Sequence, residues 1–96
     1  MYGTIGHMKV KPGKMQEVRD NMLDPQGASA NGFLGLHFLE ADEGDEAVVA
    51  VIFEDRDSYS AMVHDPKTDE NFGKLMKLLD GEPSWTDGEW HSASPA

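Results

Sequence analysis

The hydrophobic pattern is clearest in the middle of the chain. Two apolar runs, Phe33–Leu34–Gly35–Leu36–His37–Phe38–Leu39 and Ala47–Val48–Val49–Ala50–Val51–Ile52–Phe53, flank an acidic turn from Ala41 to Glu46. Short runs rich in β-branched and aromatic residues on either side of a Gly-containing turn predict a β-hairpin. Neither run alternates between apolar and polar positions. A strand with one face in water alternates, whereas a strand buried on both faces does not. The hairpin therefore needs two covers.

The flanking segments supply one of them. Tyr2 to Val10, with Ile5 and Met8, reads as a strand, and Lys11–Pro12–Gly13–Lys14 as a turn. Met15, Val18 and Met22 recur at i, i+3 and i+7, one face of a helix, with Leu23 beside it. Asp24–Pro25 stops that helix, because the residue before proline avoids the helical region, and Pro25 to Gly32 is a loop by composition. After the hairpin, Asp55 or Asp57 caps a short helix carrying Tyr59, Met62 and Val63. His64–Asp65–Pro66 breaks it, with Asp65 capping a third helix whose first residue is Pro66. Phe72, Leu75, Met76 and Leu79 form that helix's apolar face, and Gly81 and Pro83 end it. Ser84 to His91 reads as one terminal strand with a bulge or kink at Gly88, since a hairpin turning at Asp87–Gly88 would have arms too short to be stable. Residues 1–91 make one domain, and 92–96 a frayed tail.

The order β-α-β-β-α-α-β is that of an α+β, ferredoxin-like split βαβ: a four-stranded antiparallel sheet with helices on one face. The other face would leave Val, Leu and Phe in water over more area than a monomer tolerates. The simplest second cover is the same face of a second copy, which predicts a homodimer through the sheet.

Composition narrows the partners. At 96 residues and 39% hydrophobic content the chain is a small globular domain. The 18 acidic residues against 8 basic ones, a net charge of −10, repel phosphate backbones and anionic lipids, so neither nucleic acid nor membrane is expected. There is no cysteine, no apolar run approaches the length of a membrane span, and the N-terminus lacks the regions of a signal peptide. A cytoplasmic location is expected.

Several segments together resemble the antibiotic biosynthesis monooxygenase (ABM) family of the dimeric α/β-barrel superfamily. They are the strand ending in Val10-x-Pro12-Gly13-Lys14, the strand start Gly32–Phe33–Leu34–Gly35, and the link Phe53–Glu54–Asp55–Arg56–Asp57–Ser58–Tyr59. The resemblance implies two sheets joined into a barrel, with a pocket between helices and sheet in each subunit. It also implies one of several activities. Some members oxidise polycyclic phenols with molecular oxygen and no metal or flavin, and others degrade haem. The haem-degrading branch uses an asparagine on the first strand, a tryptophan on the second helix and a histidine on the third; the matching positions hold Gly6, Met62 and Phe72. Haem degradation is therefore not expected, and no cofactor is implied.

Candidate chemistry centres on the four histidines, His7, His37, His64 and His91, because imidazole titrates near neutral pH. His7 and His91, on neighbouring strands, could lie close together. No His-x-His or His-x-x-x-His pair occurs, so no metal site is expected. His37, inside an apolar run, is either a hydrogen-bonded core or interface residue or a pocket base; His64 is the second base candidate. Adjacent His64 and Asp65 do not face each other and form no dyad. Tyr59, Met62, Phe72, Trp85 and Trp90 are core residues by spacing, and the same residues would line an apolar pocket for an aromatic ligand. Tyr59 and one tryptophan, each with a polar donor, are the better pocket candidates. Two functions fit: a cofactor-independent monooxygenase acting on an aromatic or polyketide-like molecule, or a non-catalytic dimer that binds a small apolar molecule or serves a structural role.

Overall fold

The computed structural model describes residues 1–23 and 31–93. The Asp24–Pro25 stop, the loop through Ala30 and the last three residues of the tail lie outside them. The elements are β1 (Tyr2–Lys9), α1 (Met15–Met22), β2 (Phe33–Glu40), β3 (Glu46–Phe53), α2 (Arg56–Val63), α3 (Pro66–Met76) and β4 (Ser84–Glu89). The strands form one antiparallel sheet in the order β2-β3-β1-β4. This is the α+β ferredoxin-like fold read from the chain.

Helix starts follow local chemistry. The Asp55 carboxylate accepts from the Ser58 amide at 2.8 Å and opens α2, and Asp65 accepts from the Lys67 amide at 2.9 Å and opens α3, with Pro66 in its first turn. The three helices lie on one side of the sheet. In the register, Tyr2, Thr4, Gly6 and Met8 of β1 stand opposite Phe53, Val51, Val49 and Ala47 of β3, and these positions face the helices. Met8, Val10, Val18, Ala47, Val49, Leu75 and Leu79 make the buried core.

Two expectations need correction. Leu79 is not helical: α3 ends at Met76, and Leu79 forms a bridge with Val10. Backbone bonds from Lys11 to Leu78 and from Asp80 to Lys9 hold this short extension of β1, so Leu79 reaches the core from a bridge. The terminal strand has no bulge at Gly88. It pairs continuously from His7↔Ser84 to Tyr2↔Glu89, with Gly88 opposite Gly3.

The irregularity lies instead in β2, whose register with β3 shifts between Phe33 and Gly35. The extra residue, Leu34, reverses the facing of the rest of the strand. Leu36 and Phe38 then pack toward the core, while His37 and Leu39 point to the opposite face. That face also carries Ile5, Val48, Ala50 and Ile52 and has no helix over it.

Candidate active-site cleft

The helix side of the sheet is not closed along its full length. Where β1 and β4 meet α2, a cleft of about 190 Å³ is lined by Tyr2, Arg56, Tyr59, Ser60, Val63, His64 and Asp87. A second hollow of about 360 Å³ adjoins it through Tyr2 and Arg56 and adds Glu54, Asp55 and Glu89.

Tyr59 anchors the wall. The Asp55 cap starts α2 so that Tyr59, one turn on, faces the sheet and packs against Tyr2 (ring centroids 5.4 Å apart) and Phe53 (5.9 Å). Its hydroxyl donates to Asp87 Oδ1 at 2.9 Å. Burial of the ring, and next the bond to Asp87, push the Tyr59 phenol up to about 12. At neutral pH Tyr59 is therefore a proton donor and not a base. Buried Thr4 donates to the Thr86 carbonyl at 3.1 Å and braces β4 alongside.

His64 sits at the C-terminus of α2, with its Nδ1 2.7 Å from the Ser60 carbonyl oxygen. A carbonyl only accepts, so Nδ1 carries the proton. In the neutral ring Nε2 then keeps its lone pair. Arg56 brings a positive charge, its guanidinium 5.7 Å from the Tyr2 ring centroid. The cleft thus combines an imidazole acceptor, a carboxylate held by a phenol, and a guanidinium. Such a set can take a proton from an acidic ligand and stabilise the anion left behind.

Of the residues singled out in the sequence, Tyr59 and His64 come together here. Trp85 and Phe72 do not line the cleft; they pack on each other, ring centroids 6.4 Å apart, with Trp85 two positions from Asp87 on the same face of β4. Met62 is half-buried, and its carbonyl accepts from Thr68 Oγ1. Trp90 lies on the opposite face against Gly3 and donates its indole N–H to the Val51 carbonyl at 3.0 Å. The tryptophans thus occupy opposite faces, as a regular strand requires. His37 is exposed on that same far face and does not meet the cleft. His7 and His91 are not neighbours: His7 pairs with Ser84, so His91 lies seven positions along, roughly 20 Å away. Among the described residues no group of three His, Cys, Asp or Glu side chains converges as a metal site. Sequence reasoning missed Asp87, Arg56 and Tyr2. The available signal was parity, since Asp87 shares a strand face with Trp85.

The sequence matches the family model for antibiotic biosynthesis monooxygenases over residues 1–69. No curated protein matches it. Solved structures with the same fold include a mutant of SnoaB, a cofactor-independent oxygenase from Streptomyces nogalater (TM-score 0.83, 15% identity, covering 99% of this chain and 97% of that one). A conserved protein from Methanosarcina mazei Go1 gives a TM-score of 0.78 at 19% identity, covering 91% and 89%. Rv0793 from Mycobacterium tuberculosis gives 0.77 at 18% identity, covering 97% and 98%. At these identities the structures establish the fold, and the sequence match establishes kinship: the chain belongs to the antibiotic biosynthesis monooxygenase family.

Proposed function

We propose that this protein is a cofactor-independent monooxygenase that acts, as a homodimer in the cytoplasm, on an aromatic or polyketide-like molecule with an acidic C–H or phenolic O–H. The observation that carries the reading is His64, whose bond to the Ser60 carbonyl leaves Nε2 as a proton acceptor in a cleft shared with Arg56, Tyr59 and Asp87. Substrate gives a proton to Nε2, and Arg56 stabilises the anion. The carbanion passes one electron to molecular oxygen, and the resulting radical and superoxide combine into a C–O bond. The peroxide anion takes the proton back from His64, and the hydroperoxide then loses water and leaves a carbonyl. A CH₂ group and O₂ thus become C=O and H₂O, with no outside reductant. Asp87, held by Tyr59, has lone pairs left to orient a substrate hydroxyl.

The homodimer is supported by the uncovered sheet face, where Ile5, Val48, Ala50 and Ile52 form a patch suited to a second copy. Kinship with SnoaB's fold is consistent with this chemistry, but fold alone does not assign it. The test is oxygen uptake over a panel of anthrones and hydroquinones under isotopically labelled oxygen gas. The expected result is uptake with at least one of them and one labelled oxygen in its product. Binding without uptake across the panel would instead make the protein a non-catalytic carrier.

A further inference from the structure

The cleft's polar groups occupy one end of a longer surface. Val63 lines the cleft from α2 and is 39% exposed; Trp85 on β4 and Phe72 on α3, packed on each other, are 39% and 40% exposed. Trp85 and Asp87 stand on the same face of β4, opposite Gly6 and Thr4 of β1. They are two positions apart, about 7 Å along the strand. The Trp85 ring lies against β1 because residue 6 has no side chain: a Cβ there would stand 2.5 Å from the ring. Phe72 packs near the ring at a tilt, its centroid 6.4 Å away and the interplanar angle 49°. Three large apolar side chains are thus left in water beside a polar cleft, and one of them is a flat indole fixed in place.

We propose that Trp85 is a specificity-determining platform. It supports the rings that extend from a phenol bound at His64 and Asp87, so that fused two- and three-ring substrates are selected over single-ring ones. This rests on the cleft being the substrate site. The occupant is a planar aromatic rather than a protein segment because Trp85 shares one face of β4 with Asp87, which lines the cleft only two positions away. Its two ends differ in character: the cleft end binds a hydroxyl, and the Trp85 end offers a ring face. Gly6 is then a second determinant, acting through the position of Trp85.

The experiment is calorimetric titration with phenol, 2-naphthol and 2-phenanthrol, which need not turn over. In the wild-type protein the three-ring compound is expected to bind at least about ten-fold tighter than phenol, and in Trp85→Ala that ratio is expected to fall by about ten-fold. Trp85→Phe keeps a smaller flat ring and restores part of the ratio. Gly6→Ala, if folded, lowers it as Trp85→Ala does. An unchanged ratio in Trp85→Ala, or a Phe variant no better than the Ala variant, overturns the platform. The oxygenase reading fails separately: absent oxygen uptake with the ratio still collapsing in Trp85→Ala would sink the chemistry and leave the platform standing. No binding of any of the three phenols would overturn both.

Discussion

The two ends of the helix–sheet interface are built from the same elements and packed differently. At one end Val10, Val18, Val49, Leu75 and Leu79 exclude water almost completely. At the other, α2 and α3 stop short of closure and leave Val63, Phe72 and Trp85 partly in solvent beside Tyr59, His64 and Asp87. A single helix shows both behaviours: in α3, Leu75 is 3% exposed and Phe72, less than one turn earlier, is 40% exposed. The closed end holds the fold, and the open end leaves apolar side chains in water next to polar ones.

The contrast extends to the opposite side of the sheet, where no helix lies at all. If a second copy covers that face, a charge at its centre disrupts assembly without touching the core. Ala50 stands between Ile5 of β1 and His37 of β2 on the uncovered side. Ala50→Lys is expected to weaken the dimer by at least about a hundred-fold, because it leaves an uncompensated charge in an apolar interface. Sedimentation at micromolar concentration shows this as a shift from dimer to folded monomer. A wild-type protein that sediments as a monomer there breaks the two-cover argument.

Within the helix side, the contrast predicts unequal costs for truncation. Leu75→Ala opens a cavity in the closed end and should cost about 2–5 kcal/mol in urea unfolding. Phe72→Ala removes a ring already half in water and should cost less than about 1 kcal/mol. Equal losses would mean that the open end is core after all.

The smallest effect expected is on titration. Because the folded state holds the Tyr59 proton more tightly than the unfolded chain, its contribution to stability is whole below about pH 10 and drains away as pH rises toward about 12. Asp87→Asn removes a charge and an acceptor, so the Tyr59 phenol moves down toward its ordinary value. Burial, the larger cause, stays in place and keeps it above that value. Tyrosinate absorbance against pH measures both. A Tyr59 titration unmoved by Asp87→Asn would mean that the Asp87 carboxylate does not stand beside the phenol in solution.

Much of the fold was legible because its signals are local. Asp65 caps the helix it was expected to cap, Asp55 rather than the alternative Asp57 caps the one before it, and the acidic turn between two apolar runs is a hairpin. The errors came where distant residues decide. The i, i+7 spacing put Leu79 on α3, but pairing with Val10 ended the helix first. The facing of His37 could not be read, because a bulge at Leu34 reverses strand parity without a mark in the sequence. The site was half legible for the same reason. Tyr59 and His64 share one helix, whereas Asp87 reaches them from 28 residues beyond Tyr59 through strand pairing.

We read the open end as a reaction site with His64 as its base. The most direct measurement is oxygen uptake with an anthrone turned over by the wild-type protein, compared with His64→Gln, which keeps the side chain polar and removes the basic nitrogen. The expected result is a loss in kcat/KM of at least about a hundred-fold, with the melting temperature and phenol binding largely kept. A His64→Gln protein that consumes oxygen at the wild-type rate would contradict it.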